Sequence, residues 1–128
     1  MKGKSLALIA LAIAVLGVAG PLFAHHGSAA YDLTKIVTLT GVITDFKFVN
    51  PHVLIYWDVK DEAGNVQRWS GERGGPNSLK RDGWTSKTMK PGDQVTISGQ
   101  ASKNGTHTMR ITKIILNGKE LGGGGGGN

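Results

Sequence analysis

The stretch Lys35–Val49, KIVTLTGVITDFKFV, constrains the fold more than any other part of this chain. It is dense in β-branched and aromatic residues, which suit extended backbone, so it predicts one long strand. Val37, Leu39, Gly41 and Ile43 fall on one face. Beyond Gly41 the other phase also turns apolar, through Val42, Phe46 and Phe48. A glycine at a change of phase predicts a bulge or sharp bend. A long, bent first strand is what closing a small barrel requires, because barrel strands must tilt and curl around the axis.

The segments that follow supply the rest of such a barrel. Asn50-Pro51-His52 is a turn signal, since proline fixes its own torsion and biases Asn50 towards extended backbone. HVLIYWDV then alternates: Val53, Ile55, Trp57 and Val59 point one way, and His52, Leu54, Tyr56 and Asp58 the other. KDEAGN reads as a hairpin turn and VQRWSGE as a third strand, with Trp69 directed into the core. In RGGPNSLKRDGW, Asn77 is placed to cap a short helix, Leu79 to anchor it and Gly83 to end it. KPGDQVTISGQA is a Pro-Gly turn and a fourth strand, with Val95, Ile97 and Ala101 in phase. Asn104-Gly105 is a hairpin signal, and TMRITKIIL the fifth strand. The order predicts a mainly β fold, a small five-stranded OB-like Greek-key barrel with one short helix between strands 3 and 4. An open antiparallel sheet with one helix is the alternative.

The two ends stand apart from this domain. Lys2 and Lys4 precede an apolar run from Leu6 to Gly20, and PLFA leads into polar chain at His25. That is the pattern of a secretory signal over residues 1–24, cut after a small residue. An uncleaved membrane anchor is the alternative, because the stretch from Leu6 to Ala24 just reaches bilayer length, but Gly17, Gly20 and Pro21 interrupt it near its end. The chain has no cysteine, so neither a lipid-anchored bacterial lipoprotein nor a disulfide scaffold is available to it. The expected location is periplasmic or secreted. Residues 25–35 read as an N-terminal arm, 36–117 as the barrel, and 118–128 as a flexible Gly-rich tail, since glycine loses the most freedom on ordering.

Two of the lysines behind the net charge of +6 leave with the signal, and the remaining basic residues are dispersed. A nucleic-acid footprint is a concentrated basic patch, so neither charge nor export predicts a nucleic-acid partner. Mild positive charge suits contact with anionic envelope polymers or proteins. No nucleophile elbow, phosphate-binding glycine loop or paired-cysteine motif is present, and no catalytic constellation is legible. Glu72 is an isolated carboxylate beside Arg73, expected to satisfy backbone amides or pair with arginine.

The four histidines carry more chemistry: His25, His26, His52 and His107. In an OB barrel the loops joining strands 1–2 and 4–5 border the ligand site, which predicts His52 and His107 at one end. A cut after Ala24 gives His25 a free α-amine that chelates a metal together with its imidazole. A third nitrogen donor makes a T-shaped site suited to copper(II), because imidazole nitrogen and tetragonal geometry favour copper. A cut one residue earlier places His26 third in the chain and gives a square-planar amine–amide–imidazole site instead. The predicted ligand is therefore copper or another divalent metal at the four histidines. Tyr56, on the outward phase with His52, and Asn50 in the preceding loop are the candidate contacts to a small ligand. The competing reading is an envelope structural or interaction module in which the histidines are incidental. An N-terminal-histidine copper oxidase or oxygenase is a third class, but no broad substrate platform accompanies it.

The combination of AHH after a signal with TLTGVITDFKFVNPHVLIYWDV, RWSGE, GPNSLKRDGW and KPGDQVTISG resembles a family of small exported bacterial proteins of uncharacterised function. The resemblance spans about Ala24 to Leu116 and is most specific at Asn50-Pro51-His52, Gly83-Trp84 and Pro91-Gly92-Asp93. It implies an exported small β-barrel with an OB-like fold and no assigned activity.

Overall fold

The computed structural model describes residues 27–123. The strands are β1 (Val37–Lys47), β2 (Leu54–Lys60), β3 (Val66–Glu72), β4 (Gln94–Ala101), β5 (Thr108–Leu116) and β6 (Lys119–Glu120). One short helix, α1 (Pro76–Arg81), lies between β3 and β4. β1 is long enough to serve two neighbours: its first half pairs with β4, from Val37↔Gly99, and its second half with β2, to Lys47↔Leu54. β2 pairs with β3, and β4 with β5. A parallel pairing of β3 with β5 closes the circle at Ser70↔Thr108, Gly71↔Met109 and Glu72↔Arg110. The result is the expected closed five-stranded, OB-like Greek-key barrel rather than an open sheet.

The interior follows the period-2 alternation. Ile43 of β1, Ile55 and Trp57 of β2, Val95 and Ile97 of β4, and Met109, Ile111 and Ile114 of β5 are buried. Leu79 of α1 is fully buried and plugs the barrel beside Trp84 and Met89. Trp69 is only half-buried: it packs on Trp57 with ring centroids 6.3 Å apart but sits at the rim, not in the core.

The change of phase in β1 is real, but it is displaced from Gly41. Ile43 pairs with Trp57 and Asp45 with Tyr56, so Thr44 is the extra residue of a bulge. That single residue moves the inward positions from Ile43 to Phe46. Gly41 is needed for another reason: a Cβ there would collide with the carbonyl of Asp58 and press on the Trp57 indole. A second irregularity in β5 skips Thr112 between Ile111 and Lys113, which lets both Ile111 and Ile114 face inward.

Two local expectations are corrected. Gly75, in extended backbone, is the N-cap of α1, with Pro76 opening the helix; Asn77 lies inside it and makes no cap. Gly83, at φ 87°, follows the C-cap Asp82 as expected. The expected tail, 118–128, begins instead as a strand; its residues 124–128 lie outside the described residues. Asn117 (φ 47°) and Gly118 (φ 84°) form a two-residue turn with both torsions left-handed, the hairpin geometry that matches strand twist. The chain returns as β6, and Leu121 packs against the core.

Leu79→Ala is expected to cost about 2–5 kcal/mol of unfolding free energy, the range for a large buried aliphatic truncation. Urea denaturation followed by tryptophan fluorescence measures it.

Candidate functional site

Outward residues of neighbouring strands form a row across the barrel wall. On β3, Trp69 shares the inward phase with Gly71, whereas Ser70 and Glu72 point out. Register then lines up Leu54, Glu72, Arg110 and Gln100 on β2, β3, β5 and β4. Arg110 donates to the Gln100 side-chain oxygen at 3.1 Å. The β2–β3 pairing continues past its strand ends: Val53 N–H donates to the Gly74 carbonyl at 3.1 Å and Arg73 N–H to the Val53 carbonyl at 3.0 Å. This extension holds His52 beside Glu72, with Nδ1 3.4 Å from Oε2. The imidazole is 52% exposed and the carboxylate 29%.

The N-terminal arm is laid against the same wall. Tyr31 forms a β-bridge with Ser102. Asp32 N–H donates to the Ala101 carbonyl at 2.9 Å, and Lys103 N–H to the Ala30 carbonyl at 3.1 Å. Burial raises the Tyr31 phenol pKa above its usual value, and the adjacent Glu72 carboxylate raises it further, while Arg110 works in the opposite direction. Tyr31, His52, Glu72 and Arg110 thus share one polar patch, half covered by the arm.

The structure separates His52 from His107. His107 is exposed and stacks on Trp69, with centroids 5.0 Å apart and planes at 23°. Its carbonyl accepts from Ser70 N–H at 3.0 Å. Trp69 and Glu72 lie on opposite faces of β3, about 10 Å apart along the strand. The expectation of one shared end fails because β5 runs parallel to β3. The start of β5 therefore lies level with Trp69, while the β1–β2 loop reaches the far end of β3. His25 and His26 lie outside the described residues. Among the described residues no three His, Cys, Asp or Glu side chains are grouped to hold a metal.

Tyr56 takes its expected outward phase, opposite Ser70, but its ring is occupied by the Lys47 ammonium 5.5 Å from the centroid. Asn50 is exposed at the bend, where the Asn50–Pro51 bond is cis. Glu72 meets histidine and tyrosine and has Arg110 as its cross-strand neighbour, while the adjacent Arg73 occupies the inward phase and is buried. Alternation already placed Glu72 on the outward phase shared with Leu54, yet its neighbours on β5 and in the arm depend on long-range register. Tyr31 carried one signal, a single large aromatic in an arm of small residues.

A histidine nitrogen beside a carboxylate oxygen can supply two donors to a first-row divalent metal, or can be an imidazole orientated by a carboxylate. Glu72→Gln removes the negative charge next to Tyr31. In a Tyr56→Phe background, where Tyr31 is the remaining phenol, ultraviolet titration is expected to find Tyr31 ionising at lower pH in the Glu72→Gln protein. An unchanged titration would separate the two residues.

No curated protein matches the chain. A family model, described as a family of unknown function, DUF6152, matches residues 12–110, which takes in the arm, β1–β4, α1 and the start of β5. The chain therefore belongs to the DUF6152 family.

Proposed function

We propose that this protein is exported and binds copper, or a similar divalent metal, at a site shared between the barrel and the mature N-terminus. His52 supplies imidazole from the barrel wall, Glu72 ligates directly or holds that ring, and His25 and His26 supply the remaining nitrogens. The observation that carries this reading is the seating of Tyr31 at Glu72, which brings the arm to the His52–Glu72 pair. Four residues separate His26 from Tyr31; Ser28–Ala30 form a 3-10 turn, so the stretch reaches less than the ~17 Å of a fully extended chain. The terminal donors are thus within chain length of the pair.

The donor chemistry supports copper. A cut after Ala24 supplies an α-amine in addition to the imidazoles, and nitrogen donors in tetragonal arrangement favour copper(II). His107 has no part in this set, because its ring lies on Trp69 on the other face of β3. The first 24 residues support export by their basic, apolar and small-residue order.

The competing reading is an envelope interaction module. It draws on an open groove of about 540 Å³ lined by Phe48, Lys80, Gly83, Trp84, Thr85 and Ser86. Aromatic walls with a lysine at the rim suit an anionic polymer or protein surface.

Copper titration of the secreted form, with its first residue set by mass spectrometry, separates the two. His52→Ala and Glu72→Gln are each expected to weaken binding by about tenfold or more, and His107→Ala to leave it unchanged. Tight binding that ignores His52 and Glu72 would confine the metal to the terminus. Absence of binding would leave the interaction module.

A further inference from the structure

The segment after β6 is held by side chains that touch only its main chain. Leu121 N–H donates to the Ile114 carbonyl at 2.9 Å, continuing the hairpin. The Trp84 indole N–H then donates to the Gly122 carbonyl at 2.8 Å. One terminal nitrogen of the Arg73 guanidinium donates to the Gly123 carbonyl, and the other to the Ile111 carbonyl at 3.3 Å. Arg73 and Trp84, 6% and 3% exposed, hold their donors well out of water. Consecutive carbonyls are thus gripped by two buried donors.

The third wall selects for glycine. Gly123 has φ 93°, and a Cβ there would collide with the Asp82 carboxyl group. Both the torsion and the wall exclude a side chain. Burial lowers the Arg73 pKa, and the Asp82 charge opposes that shift; arginine's high intrinsic basicity keeps the guanidinium a charged donor. Arg73 Nε is also buried and has no partner among the described residues.

None of these contacts depends on the covalent link from β6 to Gly122. We propose that Arg73, Trp84 and Asp82 form a recognition site for an extended main chain with consecutive glycines, occupied here in cis by Gly122–Gly123 and open to a glycine-rich segment of another polypeptide when that strap leaves. The ligand is recognised through its carbonyl oxygens, and Asp82 enforces the missing side chain. Arg73 Nε–H, unpartnered among the described residues, donates to an additional carbonyl of a longer guest. The site stands on the inward face of β3 and does not rest on the metal reading.

The full chain carrying Gly123→Ala tests this, because the strap then loses its seat while every cradle residue stays in place. The readout is hydrogen exchange of the Trp84 indole N–H by NMR. Exchange is expected to rise about tenfold in the variant, as for local opening. Acetyl-tetraglycine-amide is expected to restore protection, and acetyl-tetraalanine-amide to have no effect. Adding Arg73→Gln is expected to abolish the rescue. If Gly123→Ala does not fold, the Asp82→Ala, Gly123→Ala pair relieves the collision while keeping the torsional strain, and tetraglycine is again expected to restore protection while the preference over tetraalanine narrows. Unchanged exchange in the variant, no rescue by tetraglycine, or equal rescue by both peptides while Asp82 is present would overturn the proposal.

Discussion

The parallel pairing of β3 with β5 is the contact on which the rest of this structure depends. It comprises three residue pairs, Ser70↔Thr108, Gly71↔Met109 and Glu72↔Arg110, yet it turns a sheet into a barrel. Without it, strand edges on β3 and β5 would stand unpaired, and the interior would lack its last wall. The same three pairs decide the surface chemistry. They put Arg110 beside Glu72, bring Tyr31 over that pair by way of the β4–β5 connection, and set His107 against Trp69.

β3 consequently has two working faces. Its outward residue Glu72 meets His52, and its inward neighbour Arg73 holds the C-terminal strap. The backbone between them is tied to Val53, which follows His52 by one residue.

Much of the architecture was legible because burial imposes a simple period. Val53, Ile55 and Trp57 alternate without interruption, and all three are fully buried. The double phase of β1 announced a bulge, and one exists, but at Thr44. Gly41 misled because glycine marks both bends and close approaches, and here it admits the carbonyl of Asp58. The helix was recognisable from Pro76, Leu79 and Gly83, while its cap was not, since a backbone-only cap at Gly75 leaves no side-chain signature. The hairpin at Asn117-Gly118 was readable from its residue pair and was overshadowed by the glycine run beyond it. For the candidate site, His52 was legible as a polar residue at the end of an alternating strand. Its partner was not, because nothing local distinguishes a carboxylate that meets a histidine from one that meets solvent.

The sequence by itself determined most strand phases, the turns and the place of the helix, because each follows from local torsional preference and periodic burial, while closure against the open-sheet alternative rested on the long-range β3–β5 contact. Tertiary structure alone decided which loop ends meet. His52 and His107 were expected together and are apart; Glu72 and Tyr31, from separate segments, are together. The physical reason is register. A parallel contact between strands far apart in the chain sets which residues lie level, and no periodicity within either strand encodes that offset.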